Sequence, residues 1–325
     1  MFFVVALTIL WVIYGYVGWR IIPSLGLTSF QVFLGYLLLF FLSLLPVLPI
    51  FLRFYGSETK IIDKLSLVGY TSLGFFVITF ITLAIKDIFL QALSMTESLF
   101  ISDGLIDDSK RSFIKKSLSI GVIGISSSAS VYGFHLSRKG PTVIHQDIHL
   151  ESLPNNFENF TIAQISDLHV GPTIKRKYVE GVLEKISEIN PDLIAVTGDL
   201  VDGSVRHLSG DLQPFKDLIA NYGTYFVTGN HEYYSGVDAW LEETNRLGMI
   251  NLINENRIIE KGGSKIAIAG ITDFKAHYIK KEHRSNPKKA LNSIDKDILK
   301  IVLAHQPNSI HLVHDAGADL QLSGH

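Results

Sequence analysis

The sequence contains no cysteine in its 325 residues. This absence excludes a disulfide framework, a zinc site built from thiolates and a cysteine nucleophile. Charge is also scarce: 18% of the residues are Asp, Glu, Lys or Arg, and the mean hydropathy of +0.28 is high for a soluble protein of this length. The net charge of -2 does not indicate the concentrated basic face of a nucleic-acid-binding protein, so we expect no nucleic-acid partner.

Charged residues are scarcest in the first 85 positions. These positions contain six of them: Arg20, Arg53, Glu58, Lys60, Asp63 and Lys64. Apolar runs at 2–19, 31–52 and 67–85 each have about the 20 residues that a helix needs to cross a bilayer. A weaker run at 118–134 is rich in Gly and Ser, as in closely packed membrane helices. A cleaved signal peptide is the alternative for the first run, but no basic segment precedes it. We therefore predict a membrane region with three or four transmembrane helices over residues 1–137.

A basic cluster precedes the fourth apolar run. It consists of Lys110, Arg111, Lys115 and Lys116. Such clusters tend to stay on the cytoplasmic side, which predicts that the chain beyond this run is extracytoplasmic. Gly and Pro residues soon afterwards indicate a linker, so we place a second domain at residues 138–325.

The second domain alternates strand and helix patterns. A helix is predicted between the first two strands because apolar residues recur at helical spacing from Tyr178 to Ile189. This alternation predicts an α/β fold with buried sheets. The predicted strands are 161–165, 193–197, 224–228, 266–269, 301–304 and 320–322.

Polar side chains follow most of these strands. The residues are Asp167 and His169, then Asp199 and Asp202, then Asn230, His231 and Glu232, then Asp273, His305 and His325. Ligands of α/β proteins bind beyond the carboxyl ends of the strands, so we expect these side chains to share one rim. Any one of them alone is better explained as an ordinary loop residue. The full set favours a metal site.

Electrostatics supports this interpretation. Two carboxylates about 4 Å apart repel by roughly 4 kcal/mol at an effective dielectric constant near 20. A protein that brings Asp167 and Asp199 together therefore needs a cation between them. Asp167 and His169 are two residues apart, so both side chains point the same way on an extended backbone. Carboxylate, imidazole and amide ligands suit Mn, Fe or Zn.

The ordered motifs resemble those of the calcineurin-like metallophosphoesterases. They are D-x-H at 167–169, G-D at 198–199, G-N-H-E at 229–232, a lone His at 305 and G-H at 324–325. The fuller runs I-S-D-L-H-V-G, G-N-H-E-Y-Y-S-G and L-Q-L-S-G-H are similar to bacterial relatives of transmembrane proteins with a metallophosphoesterase domain. The resemblance covers about residues 132–325.

The resemblance implies a four-layer sandwich, in which two mixed sheets lie between helices, and a site for two divalent metal ions. The implied ligands are Asp167, His169, Asp199, Asn230, His305 and His325. Asp167 and His169 would bind the first ion, Asp199 would bridge both, and the other three would bind the second. His231 would face the substrate phosphate as the catalytic acid. The family pattern continues as G-H-x-H, so we expect the domain to be truncated at its carboxyl end and to lack the last ligand of the first ion.

Three alternative functions are considered for a chain with these motifs. The first is a phosphodiester or pyrophosphate hydrolase that acts near the membrane on a lipid-linked substrate, since related family members hydrolyse UDP-diacylglucosamine. The second is a phosphomonoesterase, including a phosphoprotein phosphatase. The third is a non-catalytic scaffold, which the intact motif residues disfavour. Because the metal centre is shared, the motifs do not separate a diesterase from a monoesterase.

Overall fold

A computed structural model describes residues 1–100 and 108–325. The chain divides into two compact units, Met1–Lys139 and Gly140–His325. The first unit consists of helices α1 (Phe2–Ile21), α2 (Ser29–Leu44), α3 (Leu48–Phe54), α4 (Lys60–Phe100) and α5 (Asp108–Arg138). Short 3-10 helices lie at Ile22–Leu25, Asn155–Phe157, Gln213–Asp217, Ala276–Tyr278, Lys281–His283 and Pro307–Ser309.

The first unit contains four candidate membrane spans within the described residues. They are Phe3–Leu25, Ser29–Phe54, Lys60–Ala92 and Lys116–Arg138. The second, third and fourth apolar runs of the sequence lie within one of these spans each, and the first run begins one residue before Phe3–Leu25. Helix α1 packs on α4, where Tyr14 and Phe76 stack and Leu83 is fully buried. The hydroxyl of Tyr16 donates to Oδ2 of Asp87 at 2.6 Å, and Arg20 forms an ion pair with the same carboxylate. These polar groups are therefore paired with one another, as polar groups among membrane helices usually are.

The second unit contains a first sheet of four strands in the order β1–β2–β3–β4. The strands are β1 (Ile162–Ile165), β2 (Leu193–Val196), β3 (Thr224–Phe226) and β4 (Met249–Asn251). All three pairings are parallel. The connecting helices are α6 (Arg176–Ile189), α7 (Val205–Leu212), α8 (Asn230–Ser235) and α9 (Val237–Arg246).

The second sheet has the order β5–β6–β7–β8. It comprises β5 (Glu255–Lys261), β6 (Ser264–Gly270), β7 (Leu299–Ala304) and β8 (Leu320–Ser323), with α10 (Pro287–Leu291) and α11 (Ile310–Asp315) in the connections. β5 and β6 are antiparallel, whereas β6, β7 and β8 are parallel. The second sheet is therefore mixed, while the described pairings of the first are all parallel.

The two sheets pack face to face between layers of helices. In β2, Leu193 and Ala195 face the second sheet, whereas Ile194 and Val196 face the helices on the other side. This alternation follows from the period of two in a strand, and it explains why β2 is apolar throughout: both of its faces are buried. The outer face of the second sheet packs on α10 and α11. This arrangement is the four-layer α/β sandwich that the motifs implied.

The sequence patterns missed two strands. β4 has three residues, and β5 carries charged residues at most positions and buries only Ile259. Both lie at an edge of a sheet, where little apolar surface is buried and the alternation that signals a strand is weak. Gly262 and Gly263, with φ of +57° and +82°, make the turn from β5 to β6. A Gly-Gly pair is a hairpin signal, so β5 could have been predicted from it.

Candidate metal centre

Four of the predicted metal ligands adopt backbone conformations that are rare for residues other than glycine. Asp167, His169, Asp199 and His325 have φ of +55°, +48°, +52° and +70°. Each such conformation costs about 1–3 kcal/mol and persists only where the surrounding structure holds it. Asp167, His169 and Asp199 follow β1 and β2, which are adjacent parallel strands. The strain is therefore concentrated at the carboxyl ends of these strands, where ligands bind in α/β folds.

Glycines let the neighbouring loops approach the carboxylates. A Cβ atom on Gly229 would collide with the side chain of Asp199, and one on Gly324 would collide with Asp167. Gly198, which has φ of +89°, would meet the backbone of Gly229 in the same way. These glycines are needed because backbone from separate strand ends meets at the two acids.

Four predicted ligands form one group. Asp167, Asp199, His305 and His325 each present a ligand atom, and the four atoms lie within 4.8 Å of one another. Metal–ligand distances of about 2.1 Å place opposite ligands of one ion about 4.2 Å apart, so the group has nearly the dimensions of a metal site. The backbone N–H of His325 also donates to Oδ2 of Asp167 at 2.8 Å, which ties the end of β8 to the end of β1.

The proton positions at His305 indicate a cation. Its Nδ1 lies 2.9 Å from the carbonyl oxygen of Thr197 and must donate to it, which leaves a lone pair on Nε2 of the neutral ring. That Nε2 lies 3.2 Å from Oδ2 of Asp199 and 3.1 Å from Nδ1 of His325. Burial lowers the pKa of His305, but the hydrogen bond to Asp199 and the negative charges of Asp199 and Asp167, together with the hydrogen bond to Thr197, outweigh burial and raise this pKa to about 9. A proton is held at Nε2 because lone pairs converge there, and a bound cation would satisfy the same atoms.

Asn230 offers a further acceptor. Its Oδ1 is buried and has no hydrogen-bond partner among the described residues. An unsatisfied buried oxygen costs about 1–3 kcal/mol, and a cation would remove that cost. Asn230 is the first residue of α8, between Gly229 and His231, and the N–H of His231 donates to Oδ1 of Asp199 at 2.9 Å. The residues present therefore fit divalent metal ions.

A second group consists of His169, Asp202 and His231. Nδ1 of His169 lies 3.1 Å from Oδ1 of Asp202, and Nδ1 of His231 lies 2.5 Å from the same oxygen. Both rings donate from Nδ1, so each Nε2 turns toward Asp199, at 3.7 Å from its Oδ2 for His169 and 3.9 Å for His231. Nε2 of His169 is also 3.9 Å from Oδ1 of Asp167, so it faces the first group.

Asp202 stays ionised between the two rings. Burial opposes its ionisation, but the hydrogen bonds from His169 and His231 outweigh burial and hold the pKa of Asp202 well below its usual range. In turn, the hydrogen bond to Asp202 raises the pKa of each histidine. One carboxylate thus fixes the tautomer and orientation of both rings. The strand pattern predicts Asp202 only as an acid that follows a strand and assigns it no role. Its position three residues after Asp199 is the one signal in the sequence that could have indicated a role.

Glu232 is the second residue whose role was missed. It is buried, and its carboxylate accepts from the N–H groups of Gly229, Asp199 and Leu200 at 2.7–3.0 Å. Burial and the nearby charge of Asp199 raise the pKa of Glu232 to about 7. Glu232 therefore joins the loops after β2 and β3 and holds Asp199 in its strained conformation.

These strand-end loops bring candidate metal ligands together at one rim of an α/β fold, and a comparison with family models agrees with this class of site. The calcineurin-like phosphoesterase model matches residues 160–325, so the chain belongs to the calcineurin-like phosphoesterase family, whose members are hydrolases that use divalent metals. The structure brings the predicted residues to one rim of the sheets. Their individual roles as ligands and acid stay predictions.

Relatives of the chain are found in animals and bacteria. A transmembrane protein with metallophosphoesterase domain from Bos taurus is 32% identical over 80% of this chain and 60% of its own length. The protein of the same name from Danio rerio is 32% identical over 62% of this chain and 48% of its own length. A metallophosphoesterase from Helicobacter pylori is 31% identical over 67% of this chain and 57% of its own length. The chain thus spans about half the length of the curated relatives that it matches.

A solved structure with the same family description is the calcineurin-like phosphoesterase YfkN from Bacillus subtilis. It is 17% identical to this chain, the alignment covers 51% of this chain and 71% of YfkN, and the TM-score is 0.37.

Proposed function

We propose that the chain is a two-metal phosphodiesterase or pyrophosphate hydrolase that acts beside a membrane. The observation that carries the proposal is the convergence of one ligand atom from each of Asp167, Asp199, His305 and His325 within 4.8 Å of one another. The first ion would be held by Asp167, His169 and Asp199, and the second by Asp199, Asn230, His305 and His325. The mixture of oxygen and nitrogen ligands suits Mn, Fe or Zn.

Two ions in such a site supply a water molecule of lowered pKa, toward 7 from about 15.7, and neutralise the charge on the phosphate oxygens. The protein supplies the rest. Asp199, whose N–H donates to Glu232, has its Oδ2 3.2 Å from Nε2 of His305 and 3.7 Å from Nε2 of His169, which supports a bridging role between the two proposed ligand sets. No covalent intermediate is required, which agrees with the absence of a cysteine nucleophile.

His231 is proposed as the general acid for the leaving oxygen. Its Nδ1 donates to Asp202, so Nε2 is the atom that faces the site. The hydrogen bond to Asp202 raises the pKa of His231, which favours the doubly protonated ring whose Nε2 can donate a proton. A general acid of this kind contributes about 10²–10⁴ in rate.

The membrane assignment rests on four candidate spans within the described residues and on the names of the animal relatives. A lipid-linked substrate such as UDP-diacylglucosamine would place its phosphoester bond within reach of a tethered enzyme. The basic cluster before the fourth apolar run, at 110–116, favours an extracytoplasmic catalytic domain.

A substrate panel tests the proposal. The purified chain, loaded with Mn²⁺, would be given bis-nitrophenyl phosphate, nitrophenyl phosphate and UDP-diacylglucosamine in detergent micelles. We expect higher kcat/KM for the diester and the lipid pyrophosphate than for the monoester. A higher kcat/KM for the monoester than for both other substrates would instead assign the chain to the phosphomonoesterases.

A further inference from the structure

An exposed segment with aromatic and basic residues lies beside the metal centre. We call residues 274–289, with the sequence F-K-A-H-Y-I-K-K-E-H-R-S-N-P-K-K, the aromatic-basic segment. It contains six Lys or Arg residues and one acid, Glu282, which gives a net charge of +5 with His neutral. The whole chain has a net charge of -2, so the residues outside the segment carry -7. Positive charge is therefore concentrated here, although the overall composition hides it.

The segment also exposes large apolar side chains. Tyr278 is 78% exposed and Ile279 is 56% exposed, and Phe274 is exposed at its start. Tyr234 of α8, which is 67% exposed, stacks edge-on against His231 with the ring centroids 5.4 Å apart. Exposed aromatic and aliphatic side chains that alternate with basic residues are typical of surfaces that enter the headgroup region of a bilayer.

The base of the segment is fixed to the catalytic domain. Ala276 is buried against Tyr233 and Val237, and the hydroxyl of Tyr233 lies 2.9 Å from Nδ1 of His283. Lys280 forms an ion pair with Asp238 at the start of α9. Because Tyr233 lies in α8 two residues after His231, the same helix connects the segment to the metal centre.

The two residues just before the segment, Thr272 and Asp273, are anchored as well. Asp273 is buried, and its Oδ2 accepts a hydrogen bond from Nε2 of Gln306 at 2.8 Å. Gln306 directly follows His305 in the chain. The hydroxyl of Thr272 donates to the carbonyl of His283 at 2.8 Å. The exposed side chains are thus presented by backbone that is hydrogen-bonded to the rim of the site.

We propose that the aromatic-basic segment docks on the surface of a bilayer that contains anionic lipid, so that the metal centre works at the lipid–water interface. The basic residues complement the negative surface, and Tyr278 and Ile279 enter the headgroup region. The chain itself carries the candidate membrane spans, so the catalytic domain is covalently held within reach of a bilayer. This inference extends the membrane-proximal hydrolysis proposed above. The test of docking measures where the segment lies and not catalytic turnover. The docking proposal and the hydrolysis proposal can therefore fail separately.

Site-specific labelling tests the docking. The chain has no cysteine, so Tyr278→Cys creates one unique attachment site for an environment-sensitive NBD fluorophore. Ile219→Cys is the matched control: Ile219 is 84% exposed and precedes β3, on the side of the sheet away from the carboxyl ends. The full chain is placed in nanodiscs of phosphatidylcholine alone or of phosphatidylcholine with phosphatidylglycerol.

We expect the label at 278 to shift to the blue and to be quenched by spin-labelled lipid in the anionic nanodiscs, with little change at 219. Substituting the exposed Lys281 and Lys289 by Glu should lower the equilibrium constant for docking at least about 25-fold. This figure follows because each basic residue near an anionic surface contributes roughly fivefold. Reversing Lys177 and Lys216, which are exposed outside the segment, should leave the signal unchanged. Equal quenching at 278 and 219, or an undiminished response after reversal of Lys281 and Lys289, would overturn the proposal.

Discussion

Asp202 provides the sharpest test of the site, because one of its oxygens accepts from two histidines. Both Nδ1 atoms, of His169 and of His231, lie within 3.1 Å of Oδ1. Asp202→Asn can keep that oxygen in place and remove only the charge, whereas Asp202→Ala removes both hydrogen bonds. The pair of variants therefore separates the effect of charge from the effect of position.

The expected magnitude follows from the hydrogen bonds. A bond to a charged group contributes about 1.5–3 kcal/mol and a neutral one about 1, so the Asn variant should lose roughly 0.5–2 kcal/mol for each ring. Over the two rings this is about 1–4 kcal/mol, a fall of roughly 5-fold to 10³-fold in kcat/KM. The Ala variant should lose more activity and also bind metal about 10–100-fold more weakly, since His169 loses its orientation.

The assay is the rate of diester hydrolysis at saturating Mn²⁺, together with metal content by elemental analysis. Asp202 raises the pKa of His231, so the acid form persists to higher pH in the native chain. In the Asn variant that pKa should be lower, and activity should therefore decline at a lower pH. Asp217→Asn, at an exposed carboxylate outside both groups, is the control. Full activity of Asp202→Asn with an unshifted pH profile would refute the reasoning.

Three further predictions concern the metal ions, the acid and the topology. Asp199→Ala should lose both ions and activity, because Asp199 lies between the ligand groups; elemental analysis that still finds two ions per chain would contradict the bridging role. His231→Gln should keep its metal while turnover falls about 10²–10⁴-fold, with a smaller fall for a nitrophenolate leaving group that needs little protonation; equal falls would leave His231 a positioning role only. Alkaline phosphatase fused after Arg138 should be active if the catalytic domain is extracytoplasmic, and a fluorescent protein that matures only in the cytoplasm should stay dark; the reverse pattern would invert the topology.

Much of the fold could be predicted from the sequence because its signals are local. The candidate membrane helices are long apolar runs, and each run coincides to within one residue with part of a candidate span. The six predicted strands all occur, because a strand buried on both faces, such as β2, is apolar at every position. β4 and β5 were missed since edge strands bury little and carry no such run.

The motif residues of the site were also predictable, for a similar reason. Asp167, Asp199 and Asn230 come two to four residues after β1, β2 and β3, so their place at the rim depends mainly on where each strand ends. Their glycine neighbours mark the same positions, because backbone must approach closely there. The sequence by itself therefore determined which residue types meet at the rim and, through them, the family of the chain.

The tertiary structure alone decided how those residues are held. Asp202 is 33 residues from His169 and 29 from His231, and Glu232 reaches back 33 residues to the N–H of Asp199. The aromatic-basic segment comes to lie beside the site through α8, some 50 residues earlier in the chain, by the contact between Tyr233 and His283. None of these contacts has a periodicity or a local spacing, since each depends on which loops the packing of the two sheets brings together. For that reason the residue types of the site could be predicted from the sequence, whereas the orientation of their side chains and the residues around them could not.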